Sequence, residues 1–105
     1  MNYAIDFLEL QRFEEAKALL RKNIPVARRV LGERHKFTLT MKLHYAEALY
    51  KDDGATLDSL REAMTTLEEI EPIARRVFGG AHPLTVGIED DLRNARAVLR
   101  AREDA

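Results

Sequence analysis

The chain contains two copies of one eighteen-residue segment, and this internal repeat limits the folds that are open to it. The copies begin at Glu15 and Glu62, end at Gly32 and Gly79, and are identical at nine of the eighteen positions. Past each glycine the match continues through the pattern His-x-apolar-Thr. A unit of this kind buries its apolar face only by stacking on a neighbour. The repeat therefore predicts a solenoid, an architecture that serves mainly as a binding surface.

Apolar residues recur with helical spacing in the second copy. They fall at i, i+4, i+7, i+11 and i+14, which predicts one apolar stripe along a long helix. We expect Gly32 and Gly79 to end the two long helices as left-handed C-cap residues. The stripe of the second long helix consists of Ala63, Leu67, Ile70, Ala74 and Val77.

A second kind of helix is predicted after each glycine. Pro83 suits the first turn of the last helix, and the earlier equivalent ends near Lys51. Tyr3 to Leu10 is expected to form a short first helix. The chain is therefore predicted to be all-α, with about five helices in a single domain spanning 1–105. The stripe of the last helix consists of Leu84, Ile88, Leu92, Ala95 and Leu99, and that of the earlier one of Phe37, Met41, Tyr45 and Ala48.

Two irregularities accompany the repeat. Pro25 and Pro72 lie at the same place in the two long helices, where each removes a backbone hydrogen bond and is expected to bend the helix. Tyr3-Ala4 recurs after 42 residues as Tyr45-Ala46, whereas Glu15 recurs after 47 as Glu62. The five extra residues fall in the Lys51 to Leu60 connection, either as a longer turn with an added helical turn or as a binding loop. Thr56 or Asp58 is expected to cap the helix that follows.

Several short motifs occur in a fixed order along the chain. They are Tyr45-Ala46, Gly54, Glu62-Ala63, Phe78-Gly79 and His82-Pro83, preceded one unit earlier by Glu15-Ala16, Leu31-Gly32 and His35. This order resembles the tetratricopeptide repeats of the longer variety found in kinesin light chains. The resemblance implies a right-handed, antiparallel helix-hairpin solenoid of about two and a half units.

The resemblance also implies where a ligand would bind, on a concave groove lined by polar residues that precede the Leu-Ala pair. The matching positions are Asn2 in the first unit, Leu43 and His44 in the middle unit, and Asp90 and Asp91 in the last. Asn2, His44, Asp90 and Asp91 are therefore the candidate partner-binding residues. Two aspartates would suit a basic peptide; alternatively, both are solvated acids near the start of a helix.

The sequence offers little for chemistry or for metal binding. There are three histidines and no cysteine, and His35 and His82 lie in corresponding loops. The acids of Glu89-Asp90-Asp91 are neighbours on a predicted helix, so their side chains diverge and do not form a general acid/base pair. We therefore expect no enzyme activity, no metal and no cofactor.

Charge and hydropathy narrow the class of partner. A net charge of −1 without a basic face argues against a nucleic-acid or membrane partner. No apolar run approaches the roughly 20 residues that span a bilayer, and the N-terminal stretch lacks the basic flank of a signal peptide. A cytoplasmic protein–protein interaction module, binding a peptide or helix of a partner, is the first expectation. The alternative is a structural unit that self-assembles into homo-oligomers through apolar terminal helices.

Overall fold

The computed structural model describes residues 4, 5, 8 and 12–105, and all regular structure in this part of the chain is helical. This confirms the all-α prediction, with four helices where about five were expected. The short helix expected over Tyr3 to Leu10 lies largely outside the described residues, of which Ala4, Ile5 and Leu8 are helical. The four helices are α1 (Phe13–Leu31), α2 (Lys36–Tyr50), α3 (Leu57–Phe78) and α4 (Pro83–Asp104).

Each helix packs against the next one in the sequence, and α2 also contacts α4. The connections are short, covering 32–35, 51–56 and 79–82. Short connections between helices that pack on each other are typical of helical hairpins. The contact between α2 and α4 creates a seam between helices that are not adjacent in the sequence, and this seam contains two of the candidate residues.

The apolar stripe of α3 forms the centre of the core. Its predicted members are fully buried except Val77, which is 43% exposed. Phe78, the last residue of α3, packs against the core where Val77 does not. The stripe is therefore confirmed apart from its last position. The buried residues of α3 are Leu60, Ala63, Met64, Leu67, Ile70 and Ala74.

The apolar stripe of α4 packs against the same core. Leu84 and Ile88 are buried, and Leu92 and Leu99 are partly buried against the core cluster. α3 packs along α4, so this stripe is covered by the helix that precedes it in the chain.

Both repeated histidines begin helices. The Nδ1 atoms of His35 and His82 accept hydrogen bonds from the backbone N–H groups of Phe37 and Leu84, each over 3.1 Å. These bonds satisfy donors that the first helical turn leaves without a partner. The repeated histidine therefore has a structural role as an N-cap.

The five extra residues between α2 and α3 form a closed turn. The N–H of Gly54 donates to the Oδ1 of Asp52 over 2.9 Å, and the guanidinium of Arg102 on α4 donates to the carbonyl oxygens of Ala55 and Asp53. The hydroxyl of Thr56 then accepts from the N–H of Ser59 over 3.0 Å and caps α3, which decides between Thr56 and Asp58. This arrangement agrees with the interpretation as a longer turn.

Both long helices continue past their internal proline, since Pro25 lies within α1 and Pro72 within α3. Each proline lacks an N–H, so the carbonyls of Arg21 and Glu68 have no helical donor at that position. Both prolines are exposed. The expected bend stays a prediction.

The glycines that end α1 and α3 have positive φ but not the left-handed conformation that was predicted. Gly32 has φ 98° and ψ 163°, and Gly79 has φ 94° and ψ 160°. The left-handed prediction is therefore wrong in ψ, because the chain leaves each helix in an extended direction towards the next histidine. The N–H of Gly79 still donates to the carbonyl of Arg75 over 2.9 Å. A positive φ with an extended ψ is essentially confined to glycine.

Replacing Gly79 by alanine is expected to lower the free energy of unfolding by about 1–3 kcal/mol, through backbone strain alone. A Cβ at this position would have no heavy atom within 4 Å, so the space is free. A urea titration of the two proteins measures the difference. Gly54→Ala is the control, because its added methyl meets only the Oδ1 of Asp52 at 3.5 Å, an ordinary contact. Equal stability of the two variants would contradict the φ of Gly79.

Candidate functional site

The candidate residues predicted from the sequence do not all lie together. His44 on α2 and Asp91 on α4 lie on the two sides of the α2–α4 seam, joined by Glu47. Asp90 is exposed and lies apart from them. Asn2 lies outside the described residues. The candidate site is therefore the seam around His44, Glu47 and Asp91.

Glu47 is the central group of the seam. Its Oε1 lies 2.8 Å from the Nδ1 of His44, and its Oε2 lies 3.3 Å from the Nζ of Lys51. Although burial opposes ionisation, hydrogen bonds with His44 and Asp91 and the charge of Lys51 lower the pKa of Glu47 to about 2. Its side chain is 16% exposed. Glu47 is therefore an ionised carboxylate that remains in contact with solvent at neutral pH.

Asp91 is buried beside Glu47, with 6% of its surface exposed. The hydroxyl of Tyr50 donates a hydrogen bond to its Oδ1. Burial and the neighbouring carboxylate of Glu47 raise the pKa of Asp91 to about 6. Burial and the hydrogen bond to Asp91 raise the pKa of Tyr50 above its ordinary value. Glu47 and Asp91 thus form a carboxyl pair in which Asp91 holds its proton more readily.

Asp90 has different surroundings. It accepts a hydrogen bond from Arg93, three residues further along α4, and both side chains are largely exposed. Residues 43 and 90 occupy the same position in the repeat, and Leu43 is buried while Asp90 is not. Of the two aspartates, Asp90 therefore matches the alternative interpretation as a solvated acid, and Asp91 does not.

Sequence reasoning missed Glu47 and Tyr50 as members of the site. A signal was present, because His44, Glu47 and Tyr50 recur at intervals of three residues and residues three apart share one face of a helix. The contact between α2 and α4, which brings this face of α2 against Asp91, cannot be predicted from the sequence alone.

A second polar cluster lies in a pocket of about 220 Å³ between α1, α2 and α3. Its cations are paired within the chain: Glu33 lies 2.6 Å from Arg28 and 3.0 Å from Lys42. The hydroxyl of Tyr45 accepts from Arg21 and donates to Glu62 over 2.6 Å. These bonds tie three helices together, so the pocket is a packing crevice.

The described ranges contain no group of three or more His, Asp or Glu side chains that could hold a metal ion. Within those ranges, no helix has the length and apolar character needed to cross a membrane.

Comparison with known proteins gives no relative for this chain. No family model matches it, and neither a curated protein nor a solved structure matches it.

Proposed function

We propose that this chain is a non-enzymatic protein–protein interaction module built from tetratricopeptide-like units in a right-handed solenoid. Three observations support the proposal. The same residue types cap the helices in both units: His35 and His82 begin helices, and Gly32 and Gly79 end them. Successive helices pack pairwise, and α2 contacts α4. Such an arrangement of hairpins generates an extended binding surface.

The ligand in this proposal is a basic peptide of a partner protein, bound along the α2–α4 seam. The observation that carries it is the state of Glu47, whose carboxylate is ionised, held by His44 and Lys51, and still partly exposed. A fixed carboxylate of low exposure pairs well with a guanidinium, which binds carboxylates with two parallel hydrogen bonds. Asp91 lies behind Glu47 and adds acidity to the same place.

A role in binding rather than in catalysis is proposed for the carboxyl pair. Asp91, whose pKa of about 6 would suit proton transfer, is buried and hydrogen-bonded to Tyr50, whereas the partly exposed Glu47 stays ionised near neutral pH. A general acid or base needs access to the proton that it transfers. The partner is a protein rather than nucleic acid or a membrane surface, in keeping with the net charge of −1. A cytoplasmic location belongs to the same proposal.

Peptide selection tests this function. Random peptides displayed on phage and selected on the chain are expected to be enriched in arginine and lysine, because Glu47 and Asp91 supply negative charge. The selected peptides should bind Glu47→Gln at least about tenfold more weakly, as expected for a lost charge-assisted pair. Fluorescence polarisation measures the affinities.

The control for that experiment is Glu68→Gln, which removes the same charge from an exposed position on α3. It should leave the affinity unchanged. Selected peptides that lack basic residues, or equal losses in both variants, would contradict the proposed site.

The alternative, self-assembly through apolar terminal helices, has less support at the α4 end. The two copies of the repeat are offset by 47 residues, so each buried leucine of α2 has a counterpart on α4. These counterparts lie on the outer side of α4, where they are exposed and mostly polar. A polar outer face is the mark of a capping helix in a stacked array. The pairs are Leu39 and Val86, Leu43 and Asp90, and Leu49 and Arg96.

A further inference from the structure

The C-terminal half of α1 carries an apolar surface that the proposed function does not use. We call it the α1 patch, and its most exposed member is Val30, with 71% of its surface accessible, followed by Val26 with 46%. The patch surrounds a shallow pocket of about 340 Å³. Exposed apolar residues that lie together, rather than singly, mark a site of interaction. The residues of the α1 patch are Asn23, Val26, Ala27, Val30, Leu31 and Met41.

The corresponding surface of α3, one repeat later, packs largely against other apolar residues of the chain. Of the residues 47 positions later, Ile73, Ala74 and Phe78 belong to or pack against the main core, whereas Val77, the counterpart of Val30, is 43% exposed. Leu39 and Leu43, from the first half of α2, belong to that same core, and α2 packs on α3. In the second unit the first half of α2 therefore contributes apolar residues to the core against which this part of α3 packs.

The α1 patch continues an interface that already exists within the chain. Ala4 packs with Leu20 and Ile24 in a buried cluster, and the α1 patch begins within one helical turn of Ile24. Among the residues that the structure describes, none takes on α1 the place that Leu39 and Leu43 have in the second unit. A further helical segment would extend the existing interface without rearranging it.

Charge indicates the chemistry of that segment. On a helix with 100° per residue, Lys22 and Arg29 lie along one edge of the stripe that contains Val26. Both are exposed, and neither forms an ion pair with another described residue. Acidic side chains on the bound segment would therefore face two cations that have no competing partner in this part of the chain.

A second copy of the chain suits this surface less well than an acidic helix. In an antiparallel pair of α1 patches placed face to face, the Lys22 and Arg29 edges of both copies lie on the same side, and juxtaposed like charges oppose association. The outer side of α4 exposes Asp90 together with Arg96 and Arg100, so it does not present the acidic edge that Lys22 and Arg29 would select.

We propose that the α1 patch binds an amphipathic helix of a partner protein, with its apolar side chains on Val26 and Val30 and its acidic side chains opposite Lys22 and Arg29. Such a helix would present apolar residues at i, i+4 and i+7, the usual pattern for a helix bound in a groove. This interaction surface is separate from the α2–α4 seam, so the chain would engage partners at two places.

The probe for this proposal is a hydrocarbon-stapled helix of about four turns, with leucine at i, i+4 and i+7 and glutamate along one edge. The staple limits the loss of conformational entropy, which would otherwise weaken binding by a short peptide. The expected result is saturable binding with amide chemical-shift changes confined to residues 22–31 and Met41. A matched peptide with lysine in place of each glutamate should bind at least about tenfold more weakly.

Variants of the chain make the test specific. Val30→Asp should reduce the affinity at least about tenfold while leaving the thermal melt unchanged, because Val30 is largely exposed. Val77→Asp is the matched control, one repeat later near the end of α3, and should retain binding. The double variant Lys22→Glu/Arg29→Glu should prefer the lysine peptide. Glu47→Gln should bind both peptides as the parent does, which separates this surface from the seam.

Three results would overturn the proposal. They are failure of both peptides to bind, unchanged affinity of Val30→Asp, and a dimer in light scattering that Val30→Asp dissociates. The last result would assign the α1 patch to a second copy of the chain.

Discussion

The Ala74→Glu variant is expected to lose the cooperative thermal transition of the parent chain. Ala74 has no exposed surface and lies in the core cluster that α2, α3 and α4 share. A glutamate there either buries an unpaired carboxylate or forces the helices apart, and the first alone costs several kcal/mol. Added volume in a packed core costs about 1–3 kcal/mol more. Domains of this size are stable by only about 5–15 kcal/mol, so circular dichroism should show a largely unfolded protein.

Two further variants separate the causes of that loss. Ala97→Glu makes the same change at an exposed position of α4 and should alter the melting temperature little. Ala74→Val adds volume without charge and should give a folded protein that is destabilised by about 1–3 kcal/mol. A cooperative melt of Ala74→Glu at the temperature of the parent would show that the stripe of α3 does not face the core.

Much of the fold follows from the sequence because the residues that begin and end helices occur twice, once in each copy of the repeat. The glycines at 32 and 79 end helices and the histidines at 35 and 82 begin them. Local backbone rules determine these boundaries, so they can be read from single positions. The extended ψ of the glycines was missed because it depends on the direction in which the following loop leaves the helix, which no residue type specifies.

The candidate site was predictable only in part, because it depends on contacts between helices far apart in the sequence. The environments of Asp90 and Asp91 differ, since Asp91 is buried against Tyr50 and Asp90 is exposed beside Arg93. Adjacent residues on a helix point about 100° apart, so the sequence predicts that they differ. It does not predict which of them faces α2, because that depends on the rotation of α4 about its axis.

The Asp91→Asn variant is expected to be more stable than the parent at pH 7 by about 3 kcal/mol and close to it at pH 4. Asparagine resembles the protonated acid, since its amide can donate to Glu47 while its oxygen accepts from Tyr50. The folded pKa of Asp91, about 6, lies above the ordinary value of 3.8. Its contribution to stability is therefore fully present below pH 3.8 and lost as the pH rises through 6. Urea titrations between pH 4 and pH 7 measure this difference.

The carboxyl group of Glu47 contributes to folding stability with the opposite pH dependence, and in a lower pH range. Its folded pKa of about 2 lies below the ordinary value of 4.5, so its contribution is present above pH 4.5 and lost as the pH falls towards 2. Because the chain has three histidines that also change charge near neutrality, the informative quantity is the difference between the parent and Asp91→Asn. Asp90→Asn is the control, since an exposed carboxylate should leave the slope between pH 4 and pH 7 as it is in the parent. If Asp91→Asn has the same slope as the parent, the folded state does not raise the pKa of Asp91, and both carboxyl groups of the seam are already ionised at pH 5.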